Sequence, residues 1–406
     1  MATKSVPRVT AIIPSYNRAN YLPLAVESVL AQSLPVFEII IVDDGSTDNT
    51  PEVVKSFSDK VRFFERDHQG VSAARNAGLE LAQGDIIAWC DADDEWEPEF
   101  LSSVVPLLKA DPELDGVYTG FVHIDAAGNR LPHVGVKTVP PAELFSALIE
   151  NDFVLTPTLV VRRKCFETAG RFDTAFQICE DYDMWLRLAR RFLIAGLPQP
   201  LVRVRVHDGN TIGNKEALLH YRLLLVEKHF GPPDGDPAAW IGDKRRAYAY
   251  AYVYAAIICL QTNEIERAWQ FIEKASLIWP QILQQLEIYY ELAVGGQPRG
   301  YRGRADLLDI AGNGDAMLAQ LDHLFGHNDE LDNIKPEAYG NAYLALGMLS
   351  DQAHHWTDAR RYLGKAVRSN PRLLISYPVM RRLAKVYAGP VVVDRIRRSR
   401  REHDGH

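Results

Sequence analysis

The chain has 406 residues, 47% of them hydrophobic and 24% charged, with a formal net charge of −8, which excludes a disordered or fibrous chain and leaves room for two domains or more. No run approaches the roughly 18 consecutive apolar residues that span a bilayer, and "MATKSVPRVTAIIPSYN" lacks the pattern of a signal peptide, so a cytoplasmic protein is expected. Cys90, Cys165, Cys179 and Cys259 are widely spaced without a C-x-x-C pair and read as reduced, mostly buried thiols.

In chain order, the first 125 residues alternate short apolar runs with helix-like segments. "VTAIIPSYN", "FEIIIVDDGS", "VRFFERD", "DIIAWCDADD" and "GVYTGFVHID" read as strands. "NYLPLAVESVLAQS" carries Leu22, Val26, Val29 and Leu30 at helical spacing. "TDNTPEVVKSF" offers Thr50 as a cap and Pro51 at the first helical position, and "VSAARNAGLELAQG" stops at Gly84, an expected C-cap. Such alternation predicts an α/β fold with a mainly parallel sheet covered by helices on both faces. Farther on, "NDFVLTPTLVVRRKCFETAGRFD" reads as strand, turn and short helix. "EDYDMWLRLARRF" is a helix with Trp185, Leu186 and Leu188 inward, and "PLVRVRVHDGNTI" is a late strand. From about residue 215 the pattern is helical, after which "FGPPDGDP" marks a linker.

Ligands of such sheets bind outside the carboxyl ends of the strands. "IIPSYNR" places Pro14, Tyr16 and Asn17 there: a rigid turn, an aromatic face and a polar side chain. "IIIVDDGSTD" places Asp43 and Asp44 before Gly45; either acid suits a cap for the helix that follows, and either also suits contact with a base N–H or a ribose hydroxyl, Asp44 foremost. "GVSAARNAG" sets Arg75 and Asn76 near a helix start, where cations and free N–H groups favour phosphate. "WCDADDEWEP" then gathers Asp91, Asp93 and Asp94 directly after an apolar strand. Like charges this close repel, and oxygen ligands in such a knot suit a hard divalent cation that neutralises a diphosphate. Asp94 also reads as a plain helix N-terminal acid, and Trp96 and Trp185 read as core before they read as sugar platforms.

With "IIPSYNR", "IIIVDDGSTDNT", "GVSAARNAG", "WCDADDEWEP", "AGRFD" and "CEDYDMWLRL" in order over about residues 8–212, the chain resembles a family 2 glycosyltransferase of the GT-A fold. The resemblance implies that Asp44 contacts the donor base and that Asp91 and Asp93 are the D-x-D metal motif. It makes Asp181 the base that deprotonates an acceptor hydroxyl. The reaction implied is a single displacement at the anomeric carbon, with inversion and a nucleoside diphosphate leaving group. The donor implied is a nucleotide-sugar, a UDP-sugar foremost, with Mn²⁺ or Mg²⁺. Glu180 is expected to orient acceptor or donor hydroxyls, and His207 either completes the metal shell, touches the diphosphate or is a partly buried histidine with a backbone partner.

Beyond that domain, "AYAYAYVYAAIICLQTNEIERAWQFIEKASLIWP" (247–280) and "AYGNAYLALGMLSDQAHHWTDARRYLGKAVRSNP" (338–371) form an ungapped repeat sharing Ala247/Ala338, Tyr252/Tyr343, Ala268/Ala359 and Pro280/Pro371. Their 34-residue length resembles the tetratricopeptide repeat. Charge is segregated along the chain. Residues 1–215 hold 21 Lys/Arg against 30 Asp/Glu, whereas residues 360–406 hold 13 against three. The basic end reads as a solvated terminus or as an attraction to anionic phospholipid at the inner face of a membrane. Nucleic acid is not the expected partner, since no aromatic-interleaved platform accompanies the charge.

The expected organisation is therefore a GT-A catalytic domain over 1–229, a helical domain over 230–390 that selects the acceptor or contacts a protein partner, and a basic tail over 391–406. The acceptor is a glycan or a lipid-linked hydroxyl. The rival readings are a scaffold that binds nucleotide-sugar without turnover, and a nucleotidyltransferase, which lacks its Gly-rich basic loop here.

Overall fold

The computed structural model describes residues 7–207, 215–297, 300–302 and 304–388. The expected basic tail, 391–406, lies outside the described residues. The chain divides into two compact units, Met1–Gly231 and Pro232–His406.

The first unit runs β1 (Val9–Ser15), α1 (Leu22–Leu30), β2 (Glu38–Asp43), α2 (Thr50–Lys55), β3 (Arg62–Glu65), α3 (Val71–Leu81), β4 (Ile86–Trp89) and β5 (Glu95–Trp96). It continues α4 (Phe100–Ala110), β6 (Leu114–Ile124), β7 (Arg130–Gly135), α5 (Leu144–Glu150), β8 (Leu159–Arg162), α6 (Lys164–Ala169), α7 (Glu180–Ala189), β9 (Leu193–Arg205) and α8 (Lys215–Phe230). Among the described residues nine strands make one sheet in the order β3-β2-β1-β4-β8-β6-β9-β5, with β7 on the side of β6.

Pairing is parallel through β3, β2, β1 and β4, antiparallel on both sides of β8, and parallel again between β6 and β9. The sheet is thus mixed, and β8 is the reversal. Because β8 runs against both β4 and β6, the carboxyl ends of β1, β2, β4, β6 and β9 share one edge, together with the entry to β8. That single topological fact brings residues 14–18, 43–46, 90–95, 156–158 and 205–207 to the same rim.

Alternation along β1 explains the two covered faces. Val9, Ala11 and Ile13 join the core formed with α1 and α4. Ile12 points the other way, toward α3, where a Cβ on Gly78 would sit 2.4 Å from its Cγ2. Gly84 is not the C-cap of α3. The helix ends at Leu81 with Ala82 as cap, and Gly84 is small because a Cβ there would meet the Arg8 carbonyl at 2.7 Å. Thr50 is likewise the first helical residue and not the cap. Asp48 does that work, its carboxylate accepting the Thr50 N–H at 2.9 Å.

The second unit is helical: α9 (Lys244–Gln261), α10 (Ile265–Ile278), α11 (Leu286–Val294), α12 (Ile310–His327), α13 (Lys335–Gln352), α14 (Trp356–Ser369) and α15 (Tyr377–Ala388). Both 34-residue segments fold as hairpins of an 18-residue and a 14-residue helix, α9/α10 and α13/α14. The turns match as well: Asn263 (φ 62°) and His354 (φ 60°) are both left-handed. Glu264 N–H bonds the Cys259 carbonyl at 2.9 Å, as His355 N–H bonds that of Ser350 at 2.8 Å. Ala268, Ala275, Ala359 and Ala366 are fully buried and let the paired helices approach closely. Among the described residues no helix is long and apolar enough to cross a membrane.

Candidate active site

Asp44, at the end of β2, is 2% exposed. Its carboxylate accepts the N–H groups of Gln69 and Gly70, the latter at 2.7 Å. Arg66 Nε and His68 Nδ1 lie 3.2 and 2.8 Å from its oxygens. Asp44 therefore anchors the loop that leads into α3. The His68 ring stacks on Tyr16 at 4.1 Å and 21°, building a planar platform beside the acid. A cavity of about 480 Å³ opens between loop 68–72 and loop 174–177. Asp43 makes an Asx turn, accepting Ser46 N–H at 3.0 Å, and does not cap the helix after Gly45, which starts at Thr50.

Two expected donor contacts are engaged within the protein. Asn17, held at φ 52°, accepts the N–H groups of Thr47 and Asp48 on Oδ1 and donates its own N–H to Ser46. Asn76 donates to the Phe172 carbonyl at 2.9 Å and accepts Phe172 N–H at 2.8 Å. Both atoms of that amide are thereby taken up, and Asn76 acts as a clamp on the 172 loop. Pro14 lies within β1, paired with Val42.

Deeper along the rim, Arg75 is buried and bridges two acids, with Asp91 Oδ1 at 3.0 Å and Glu180 Oε1 at 2.5 Å. Burial lowers its proton affinity, but Asp91, Glu180 and Asp181 together outweigh burial and push it up. One guanidinium does not satisfy all three acids. Burial and the charge of Asp181 raise the Glu180 carboxyl to about 7 against the opposing Arg75. Burial also raises Asp91, with Arg75 opposing and Asp93 adding to the rise.

Asp181 lies in the first turn of α7. Its Oδ2 accepts the Thr156 hydroxyl and its Oδ1 the Tyr182 N–H, each at 2.8 Å. Asp152, on the loop that supplies Thr156, has a buried Oδ1 without a hydrogen-bond partner. Burial and Asp181 push it well up, while Arg222 opposes.

Of the expected metal set, Asp93 and His207 meet: His207 Nε2 is 3.0 Å from Asp93 Oδ2, which also accepts from Arg18 Nε at 3.2 Å. Burial raises Asp93, yet the His207 hydrogen bond and Arg18 hold it below the usual carboxylate range. The His207 ring also packs against Tyr21 at 4.9 Å. Asp91 is drawn instead to Arg75, and among the described residues no three His, Cys, Asp or Glu side chains converge to hold an ion. The expected three-residue shell is thus reduced to a carboxylate–imidazole pair. A carboxylate beside an imidazole is a donor set that would suit a divalent cation.

Other residues are structural. Asp94 accepts Arg205 N–H at 2.8 Å, and the Arg205 guanidinium holds the carbonyls of Asp93 and Asp125. Trp96 and Trp185 are core, 3% and 1% exposed. The four cysteines are unbridged. Arg18, Arg66, His68, Asp152 and Thr156 were not singled out from sequence. Arg18 directly follows Asn17 and His68 precedes a helix-start glycine, so both carried a local signal; Asp152 and Thr156 depend on the reversal at β8.

A mixed sheet covered on both faces, with acids and arginines gathered beyond its carboxyl ends, defines the GT-A class of α/β domain. Residues 10–168 match glycosyl transferase family 2, and the chain belongs to that family through this domain. It is 34% identical over 223 residues to an uncharacterized glycosyltransferase of Rickettsia conorii, covering 52% of this chain and 36% of that protein. A second such protein, from Rickettsia typhi, is 32% identical over 214 residues, 50% and 66% of the two chains. The chondroitin synthase of Escherichia coli is 33% identical over 190 residues, 46% of this chain and 27% of that one. The chain therefore spans about a third of the length of the R. conorii relative. Solved structures similar to it include S. aureus TarS 1–349 (15% identity, TM-score 0.46, 89% and 88% of the chains). Another is the mannosyltransferase PcManGT of Pyrobaculum calidifontis, in complex with GDP-Man and Mn²⁺ (18% identity, TM-score 0.48, 91% and 88%).

Proposed function

We propose that the first unit transfers a sugar from a nucleotide donor, a UDP-sugar in the first instance, to an acceptor hydroxyl with inversion. The observation that carries this reading is the placement of Asp181. Its carboxylate is fixed by Thr156 and the Tyr182 N–H, one residue from the Glu180–Arg75–Asp91 bridge. Asp181 takes the proton of the acceptor hydroxyl as that oxygen bonds to the anomeric carbon and the bond to the diphosphate breaks. Glu180, titrating near neutrality, orients hydroxyls. The Tyr16–His68 platform and Asp44 receive the base, and Arg75 with Asp91 lines the path to the sugar. Asp93 and His207 would hold Mn²⁺ or Mg²⁺, which supplies positive charge for the departing diphosphate. The similarity to a chondroitin synthase supports a glycan as acceptor, and the helical unit would then contact that acceptor or a protein partner.

The test is a thermal-shift panel of UDP-, GDP- and dTDP-sugars with and without Mn²⁺, followed by transfer assays on Asp181→Asn. The variant is expected to keep its donor-dependent shift and to lose transfer by about 10²–10⁴-fold. Turnover equal to the wild type would remove Asp181 from this role.

A further inference from the structure

The helical unit repeats with an offset of 91 residues beyond its two hairpins. The 3₁₀ turn Pro280–Gln284 corresponds to Pro371–Ile375, and α11, starting at Leu286, corresponds to α15, starting at Tyr377. The two copies differ in what covers them. On α11, Tyr289 and Ala293 are buried in one core with Met317 and Leu321 of α12, and Asn313 of α12 bonds the Ala293 carbonyl at 2.9 Å. The equivalent positions on α15, Met380 and Ala384, are exposed.

The inner side of α15 is firmly held. Val379 and Val386 are buried, and Lys385 and Arg382 pair with Asp351 at 2.7 and 3.6 Å. The outer side carries an apolar stripe at helical spacing. Tyr377 is 77%, Met380 42% and Tyr387 59% exposed, and it continues into Ile375, 85% exposed. Large apolar groups standing this far into water, side by side, mark a docking face.

Charge identifies the occupant. Residues 359–388 contain Arg360, Arg361, Lys365, Arg368, Arg372, Arg381, Arg382 and Lys385 and no acid. The same stretch of the covered copy, 268–297, contains Lys274 alone against Glu273, Glu287 and Glu291. Arg368 in α14, Arg372 in the turn and Arg381 in α15 are exposed, Arg372 lying 3.4 Å from Glu337. Where a helix covers the scaffold its charge is ordinary. Where the face is open among the described residues, the same stretch of chain supplies cations beside tyrosine, methionine and isoleucine. A second copy of so basic a face would repel its partner, and a nucleic acid has no use for an apolar stripe lacking stacked register. Tyrosines beside arginines on a half-buried amphipathic helix match the interface of a bilayer bearing anionic lipid.

We infer that α15 and the turn before it form a docking surface for an anionic membrane, with Ile375, Tyr377, Met380 and Tyr387 entering the headgroup region and Arg368, Arg372 and Arg381 meeting lipid phosphate. This inference concerns the second unit and does not need a donor to be bound. Its failure is therefore separable from failure of the transfer reading.

The test is co-sedimentation of the full chain with phosphatidylcholine vesicles, with and without phosphatidylglycerol. Binding is expected only with the anionic lipid, and it falls sharply at about 1 M salt, where the Debye length is about 3 Å. Arg368→Glu with Arg381→Glu should weaken partition by more than about tenfold, since each basic residue near such a surface is worth roughly fivefold. Tyr377→Ser with Tyr387→Ser should weaken it with little change in salt dependence, a signature that charge alone does not produce. These side chains are exposed, so melting temperature and donor-dependent thermal shift should stay as in the wild type. Equal binding to both vesicles, full binding by either double variant, or tighter binding to a duplex oligonucleotide than to vesicles would overturn the proposal. So would a dimer by light scattering that ignores vesicles and is broken by the tyrosine substitutions.

Discussion

Around Arg75 three carboxylates, Asp91, Glu180 and Asp181, answer to a single buried cation. The guanidinium does not neutralise them all, and burial raises both Asp91 and Glu180, the latter from 4.5 to about 7 by burial first and by Asp181 second. The sign follows from proton counting. Between those two values the folded state binds more protons at Glu180 than the unfolded chain does, so stability falls as pH rises. The contribution is fully present below 4.5 and lost as pH passes about 7. Glu180→Gln removes this titration, and urea midpoints taken across that range should show a flatter decline than in the wild type. Parallel pH profiles for the two proteins would mean that Glu180 stays ionised against Arg75 throughout. The same proton would matter to the role proposed for Glu180: a neutral carboxyl can donate a hydrogen bond to a sugar oxygen, whereas an ionised one only accepts.

At the scale of elements, α3 meets the sheet where there is no room for a side chain. Gly78 faces Ile12, whose Cγ2 lies 2.4 Å from any Cβ placed there. Gly78→Ala must lift α3 from β1, and α3 carries both Arg75 and Asn76. The expected loss is about 1–3 kcal/mol, seen as a lower denaturation midpoint, with a matching loss of donor affinity as Arg75 is displaced. An unchanged midpoint would show that the helix shifts freely. This contact was invisible in the sequence, where Gly78 reads as one small residue in an Ala-rich helix. The strands were legible because Ile12, Ile40 and Ile87 sit in short apolar runs with turn residues at their ends. The rim was legible because those runs end in Asn17, Asp44 and Asp91. What the sequence did not reveal was pairing. Nothing local tells Thr156 that β8 runs backwards, so its bond to Asp181 could not be read. Nor does spacing show that Asp91 turns to Arg75 and away from Asp93, because that choice depends on where α3 and α7 place their charges.

For the whole molecule, the two units have separate apolar cores, one around β1, α1 and α4, the other around α9 to α13. The residues proposed to bind donor, Asp44, Arg75, Asp91 and Asp93, lie with the proposed base Asp181 in Met1–Gly231, and the proposed membrane face lies in Pro232–His406. A ligand that binds one folded unit stabilises that unit by mass action and has no such linkage to a unit that unfolds independently. Calorimetry should therefore resolve two transitions. A nucleotide-sugar at about a hundredfold above its Kd adds about 2.7 kcal/mol, which for a unit of this size raises its melting temperature by roughly 5–10 °C. Only one of the two transitions should move. Anionic vesicles should act on the other, since their contacts fall on α15. If donor shifts both transitions together, the cores do not unfold independently, and binding at the sheet edge is energetically coupled to the helical hairpins.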